Sequence, residues 1–127
     1  MENDKLGQEW FKQAEYDLIA AETLFKGGQY IYTVFMCHLA IEKALKGLYR
    51  EKLNQAPPRT HILTFFLKKL DLPTPQELLS FLESMDAVSA PIRYPRDLET
   101  LLGEYDQNRA QKILDQSREL IKWIKEK

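Results

Sequence analysis

Cysteine is almost missing from this chain. Its 127 residues carry a single one, Cys37, which excludes an intramolecular disulfide and any zinc site built on several thiolates. Because Cys37 sits inside an apolar run, it reads as a small buried hydrophobe in a protein of a reducing compartment. Net charge is missing too: 18 basic residues face 19 acidic ones, so no global field draws the chain to nucleic acid, and such binding requires a local patch. No apolar run approaches the ~20 residues of a membrane span, and Met1-Glu2-Asn3-Asp4-Lys5 is polar and acidic where a secretory leader is basic and then apolar. The expected setting is therefore the cytoplasm, with no membrane association. Strand-period alternation and internal repeats are absent as well, which leaves an all-α chain, read as one helical domain over residues 1–127.

The spacing of apolar residues predicts the elements. Trp10, Phe11, Ala14, Leu18, Ala21 and Phe25 share one arc of a first helix, closed by Gly27-Gly28 because glycine accepts the left-handed conformation that ends a helix. The short connection returns the chain antiparallel into a second helix, the spine, running from about Ile31 to Arg50. Three stripes run along it. Cys37, Ala40, Ile41, Ala44 and Leu48 are small and suited to close helix contact; Ile31, Val34, His38, Glu42, Leu45 and Tyr49 carry two polar residues; Lys43, Lys46 and Arg50 are basic. Pro57-Pro58 ends this region, and Thr60 is positioned to cap a short helix through Leu70. Thr74-Pro75-Gln76-Glu77 has the pattern of a capping box, opening a helix that Pro91 interrupts, and Asp106 caps a last helix whose apolar face is Ala110, Ile113, Leu114, Ser117, Leu120, Ile121 and Ile124. The sum is an antiparallel bundle of four principal helices plus a shorter one.

Four groups of residues have chemical potential. His38 and Glu42 lie one helical turn apart, either as an acid/base pair or as a buried histidine held by a carboxylate; no third ligand stands at motif spacing, so no metal or other cofactor is expected. Lys43, Lys46 and Arg50, near Arg59, either hold phosphate or form a solvated face. Asp17 falls close to the apolar arc of the first helix and requires a basic partner from a neighbouring element. Arg93-Tyr94-Pro95-Arg96-Asp97 joins two guanidinium groups and a ring in a proline-braced loop, which either grips phosphate and stacks on a base or serves as a rigid connection.

Several of these segments together resemble the HEPN family, the higher eukaryotes and prokaryotes nucleotide-binding domains, in its small stand-alone prokaryotic form. The resemblance rests on Ala14-Glu15-Tyr16-Asp17-Leu18 with Ala21, on Ala40-Ile41-Glu42-Lys43-Ala44-Leu45-Lys46, on Pro57-Pro58-Arg59-Thr60-His61 with Leu63, and on Ile92-Arg93-Tyr94-Pro95. It implies an all-helical bundle that forms a homodimer and works beside a separately encoded minimal nucleotidyltransferase. Many relatives are metal-independent ribonucleases or toxins, whose motif is an arginine followed a few residues later by a histidine. This chain departs from that motif. The positions where the histidine would fall hold Leu98, Glu99 and Thr100 after Arg93, and Leu101, Leu102 and Gly103 after Arg96, while His61 precedes both arginines. The resemblance therefore implies a nucleotide- or RNA-binding module in a toxin–antitoxin-like system, with Arg93, Tyr94, Arg96, Lys43 and Lys46 as the binding residues. One alternative is a ribonuclease with a displaced centre, in which Arg93 holds phosphate and His61 or His38 supplies a proton. Another is a structural dimeric adaptor joined through Asp17, His38 and Glu42.

Overall fold

The computed structural model describes the backbone of residues 2–93 and 97–127, and the side chains of residues 5–88 and 97–127. Among these residues the chain forms six helices and no strand: α1 (Glu2–Lys26), α2 (Tyr30–Leu53), α3 (Leu63–Lys69), α4 (Gln76–Arg93), α5 (Leu98–Glu104) and α6 (Gln107–Lys125). The all-α expectation is what forms. Its four principal helices are α1, α2, α4 and α6, its shorter one is α3, and α5 is an additional seven-residue helix. None of the described helices is long and apolar enough to cross a membrane.

The turn between α1 and α2 follows from Gly28, whose φ of +78° suits glycine best. The Gln29 N–H reaches back to the Leu24 carbonyl at 2.8 Å and the Gly28 N–H to the Phe25 carbonyl at 3.0 Å, the paired bonds of a Schellman closure. The two helices then run antiparallel, as three contacts along them show. Phe25 meets Tyr30 near the turn, Asp17 meets Lys43 midway, and Gly7 lies against Gly47 and Glu51 at the far end. Gly47 has a specific reason to be there: a Cβ at that position would stand 2.9 Å from Phe11 Cε1, 3.0 Å from Trp10 Cβ and 3.1 Å from the Gly7 carbonyl oxygen.

Burial in α2 follows the small-residue stripe. Cys37, Ala40, Ile41 and Ala44 are fully enclosed and Leu48 nearly so, and burial continues through Tyr49, so the second half of the spine is as enclosed as the first. The helix stops before the prolines, at Asn54, which takes the left-handed conformation at φ 55° and returns its N–H to the Arg50 carbonyl at 2.9 Å. On the opposite side α6 buries every residue of its expected apolar face, and Asp106 caps it by accepting the Arg109 N–H at 2.9 Å. Lys125 to Glu15 at 2.7 Å and Arg118 to Glu22 at 2.9 Å clip α6 antiparallel to α1.

The caps of α3 and α4 differ from expectation. Thr60 does not cap α3; its hydroxyl accepts the nearby Ile62 N–H at 3.2 Å. The cap is tertiary: Asp86 on α4 accepts the Leu63 N–H at 2.6 Å, the Thr64 N–H at 3.3 Å and the Thr64 hydroxyl at 2.7 Å. A carboxylate satisfies two orphan donors at once and places negative charge at the positive end of the helix. At the start of α4 the Thr74 hydroxyl donates to the Leu72 carbonyl at 2.9 Å, and the helix begins at Gln76, beyond the expected proline position. Pro91 does not interrupt α4, which continues to Arg93; a proline so near the end removes one amide hydrogen and leaves most of the ladder intact. Asp97, expected in a loop, caps α5 by accepting from the Thr100 N–H at 3.2 Å and the Thr100 hydroxyl at 2.8 Å. Tyr94, Pro95 and Arg96 lie outside the described residues.

Three substitutions test these contacts by urea denaturation. Asp86→Ala is expected to cost about 1–2 kcal/mol through loss of the α3 cap, whereas Thr60→Ala stays within about 0.5 kcal/mol; equal effects would reject the tertiary cap. Gly47→Ala is expected to lose about 1–3 kcal/mol by overpacking, despite alanine's better helix propensity, and a stabilised variant would contradict the close contact.

Candidate functional site

The polar groups of α2 gather along the edge it shares with α1 and with the α2–α3 connection. Asp17 on α1, only 6% exposed, finds Lys43 on α2 at 3.0 Å, so the buried carboxylate has the opposite charge it requires. Next to Lys43 in the chain, Glu42 is 4% exposed and divides its two oxygens. Oε2 accepts from Lys46 Nζ at 3.1 Å and Oε1 meets His61 Nδ1 at 2.8 Å. Lys46 in turn lies 5.7 Å from the centre of the Trp10 ring. Imidazole, carboxylate, ammonium and indole thus form a continuous line across three segments of chain.

His61 reaches this line because of its connection. The Thr60 N–H bonds to the Pro58 carbonyl at 3.0 Å, and Asp86 anchors the residues that follow, so the histidine is held at both sides in sequence. Its side chain remains 57% exposed while Nδ1 faces the buried carboxylate. A carboxylate at Nδ1 favours the proton on that nitrogen and turns Nε2 to the outer side of the ring.

Burial alone would raise the Glu42 pKa. Hydrogen bonds from His61 and Lys46, reinforced by their positive charge, outweigh that effect and hold the carboxyl below its ordinary value of 4.5. Cys37 shows the opposite balance: burial pushes its thiol up to about 11 against the weaker pull of Ser117 and Arg118, so it is not a nucleophile at neutral pH.

The arrangement changes the pairings expected from spacing. His38 and Glu42 share α2, and the two oxygens of Glu42 are engaged by Lys46 and His61. His38 is 1% exposed in the core. Lys43 and Lys46 lie beside carboxylates, with 21% and 11% of their side chains exposed, so neither is the freely solvated lysine of an open basic face. Arg93 ends α4, while Tyr94 and Arg96 fall outside the described residues. Spacing along the chain missed Trp10 as a member of this line; the clue was an indole at the edge of the apolar arc of α1, one turn before Ala14.

Grooves among the described residues flank these elements. One, about 400 Å³, runs between α1 and α6 over Leu18, Ile19 and Ile121 and is bordered by the Glu15–Lys125 and Glu22–Arg118 pairs. Another, about 230 Å³, is formed by Leu6, Glu9, Trp10 and Gln13 on α1, next to the Lys46 end of the polar line. No group of three or more histidine, cysteine, aspartate or glutamate side chains capable of holding a metal ion occurs among the described residues.

The HEPN domain model matches residues 8–127. The crystal structure of TT1696 from Thermus thermophilus superposes with a TM-score of 0.83 at 26% identity, covering 94% of this chain and 96% of that one. ST0689, an archaeal HEPN homologue, gives a TM-score of 0.75 at 26% identity, covering 94% of each chain. No curated protein matches this chain.

The charge cluster generates a pH-dependent prediction. Because the folded-state pKa of Glu42 is lowered, its contribution is present above the ordinary glutamate range and is lost as pH falls through the lowered value. Glu42→Gln is therefore expected to destabilise the protein by about 1–2 kcal/mol at pH 6–7, with the deficit shrinking on acidification below pH ~4. A pH-independent deficit in urea titrations would exclude the ionised carboxylate as its source.

Proposed function

Because this chain belongs to the HEPN domain family, we propose that it binds nucleotide or RNA without the usual arginine–histidine ribonuclease pair. In this reading it works as a homodimer beside a separately encoded minimal nucleotidyltransferase, in a toxin–antitoxin-like arrangement. The observation that carries the reading is where the histidines are. His38 is enclosed within α2, His61 is tied to Glu42 ahead of α3, and α5 offers Leu98, Glu99, Thr100, Leu101, Leu102 and Gly103 where a histidine would follow Arg93 or Arg96. Of those side chains only Glu99 ionises, and a carboxyl does not exchange protons near neutral pH as imidazole does. Arg93, Tyr94 and Arg96 then serve binding: guanidinium groups engage phosphate through paired donors and the phenol ring supplies a stacking face. Lys43 and Lys46, balanced by Asp17 and Glu42, add less to the grip on phosphate.

One observation favours a second reading. His61 is an exposed imidazole backed by a buried carboxylate, the arrangement of an acid/base pair, and it would support metal-independent RNA cleavage from a displaced centre. Incubation of RNA with the protein in excess chelator separates the two: intact RNA supports the binding module, and cleavage lost in His61→Gln supports the second reading.

Isothermal titration with mononucleotides and short single-stranded RNAs tests the main proposal. Wild type is expected to bind, and Arg93→Ala to bind about tenfold more weakly, in line with the loss of a charge-assisted pair. Absence of binding by wild type overturns the module, and unchanged affinity in Arg93→Ala overturns its assigned arginine. Co-expression with a minimal nucleotidyltransferase encoded beside it is expected to yield a complex on size exclusion; separate elution of the two proteins would reject the partnership.

A further inference from the structure

We propose that the edge shared by α1 and the C-terminal half of α2 is a subsite for one nucleotide unit of single-stranded RNA: Trp10 stacks on the base, and Lys46 and His61 hold the adjoining phosphate. The proposal rests on the RNA-binding reading and deepens it, because it places a contact away from the Arg93 segment.

Three features converge. First, the two tryptophans are used differently. Both are half-buried with a lysine over the ring, but Trp123 packs against the hydrophobic core, whereas Trp10 lies on the α1–α2 seam beside Gly47 and borders the 230 Å³ groove. An indole at such a groove offers a π-face that accepts any base. Second, the cationic end is already arranged. Lys46 Nζ stands 5.7 Å from the Trp10 ring centre and 3.1 Å from Glu42, and His61 approaches the other oxygen of the same carboxylate. Glu42 uses one donor from each, so two further ammonium hydrogens and the outer side of the imidazole are directed elsewhere. The buried carboxylate fixes both groups in place, which lowers the ordering cost of binding an anion. Arg59, exposed two residues before His61, adds positive charge to the same connection.

Third, the groove itself has base-edge chemistry. Gln13 donates to Glu9 at 3.3 Å, so an amide and a carboxylate stand beside the indole. Amide and carboxylate groups are the side-chain types that read donor and acceptor edges of bases, and a carboxylate there disfavours phosphate. Polarity along this edge thus runs from base-edge groups at Glu9 and Gln13 in the groove, through stacking at Trp10, to phosphate at Lys46 and His61 beyond it. The α1–α6 groove has no such order, since ion pairs of both signs border it.

The test uses Trp10 as its own reporter. In a Trp123→Phe background, hexa-adenylate RNA is expected to quench Trp10 emission on binding. His61→Gln and Lys46→Gln are each expected to weaken hexamer affinity about threefold or more, and Trp10→Leu about tenfold, with circular dichroism confirming the helical fold. AMP run in parallel separates the sources of the same chemistry: equal quenching by AMP makes the ligand a free nucleotide, and quenching by the hexamer alone makes it RNA. RNA that binds with Trp10 emission unchanged and affinity unaffected by His61→Gln overturns the subsite and leaves the RNA-binding reading standing. Failure of wild type to bind RNA or AMP overturns both.

Discussion

The closeness of α1 and α2 is the constraint on which the other arrangements depend. Their axes approach where Gly7 and Gly47 face one another, and the contact is tight enough that one methyl group at Gly47 would press on Phe11, Trp10 and the Gly7 carbonyl together. Such an approach places the two backbones in register along their length. Asp17 then reaches Lys43, and Trp10 comes beside Lys46. A wider separation would leave Asp17 buried without its partner, so helix packing and electrostatics are one problem here.

Glu42 performs the corresponding role for the chain beyond α2. As a buried carboxylate with both oxygens engaged, it ties its own helix to the connection carrying His61, and the net effect is a carboxyl held below its ordinary value. Exposure differs sharply along that chain of contacts: Glu42 is enclosed, Lys46 is nearly so, and His61 is more than half open. The energetic weight therefore lies at the inner end and the chemical accessibility at the outer end.

Much of this is legible in sequence, and the reason is locality. The apolar stripe of α6, the Gly28 turn and the Asp106 cap are each set by residues within a turn or two of one another, where spacing and propensity are decisive. The features that spacing misplaces all depend on competition or on partners far away. Thr60 has the right chemistry to cap α3, but Asp86 reaches the same donors from α4. His38 has the right spacing from Glu42, but spacing gives no sign of the histidine nineteen residues on that the carboxylate meets. Pro91 and Pro95, both ahead of Asp97, point to a loop, whereas α4 runs through Pro91 and Asp97 itself opens α5. Helical spacing shows which residues share a face; it does not show which of several competing groups reaches a given atom.

The Asp86 cap has a consequence for how α3 is held. A helix of seven residues such as α3 is too short to persist alone in water, where isolated helices below about 12 residues are marginal. Its N-terminal donors are satisfied by α4 and its Phe66 ring packs at 6.0 Å against Tyr49 of α2. At its other end Asp71 closes it in the left-handed conformation at φ 49°, a conformation that an aspartate holds less readily than glycine. α3 thus has no stability of its own to lend. It depends on α4 for its cap and on α2 for its packing, and the connection bearing His61 is held by the same contacts.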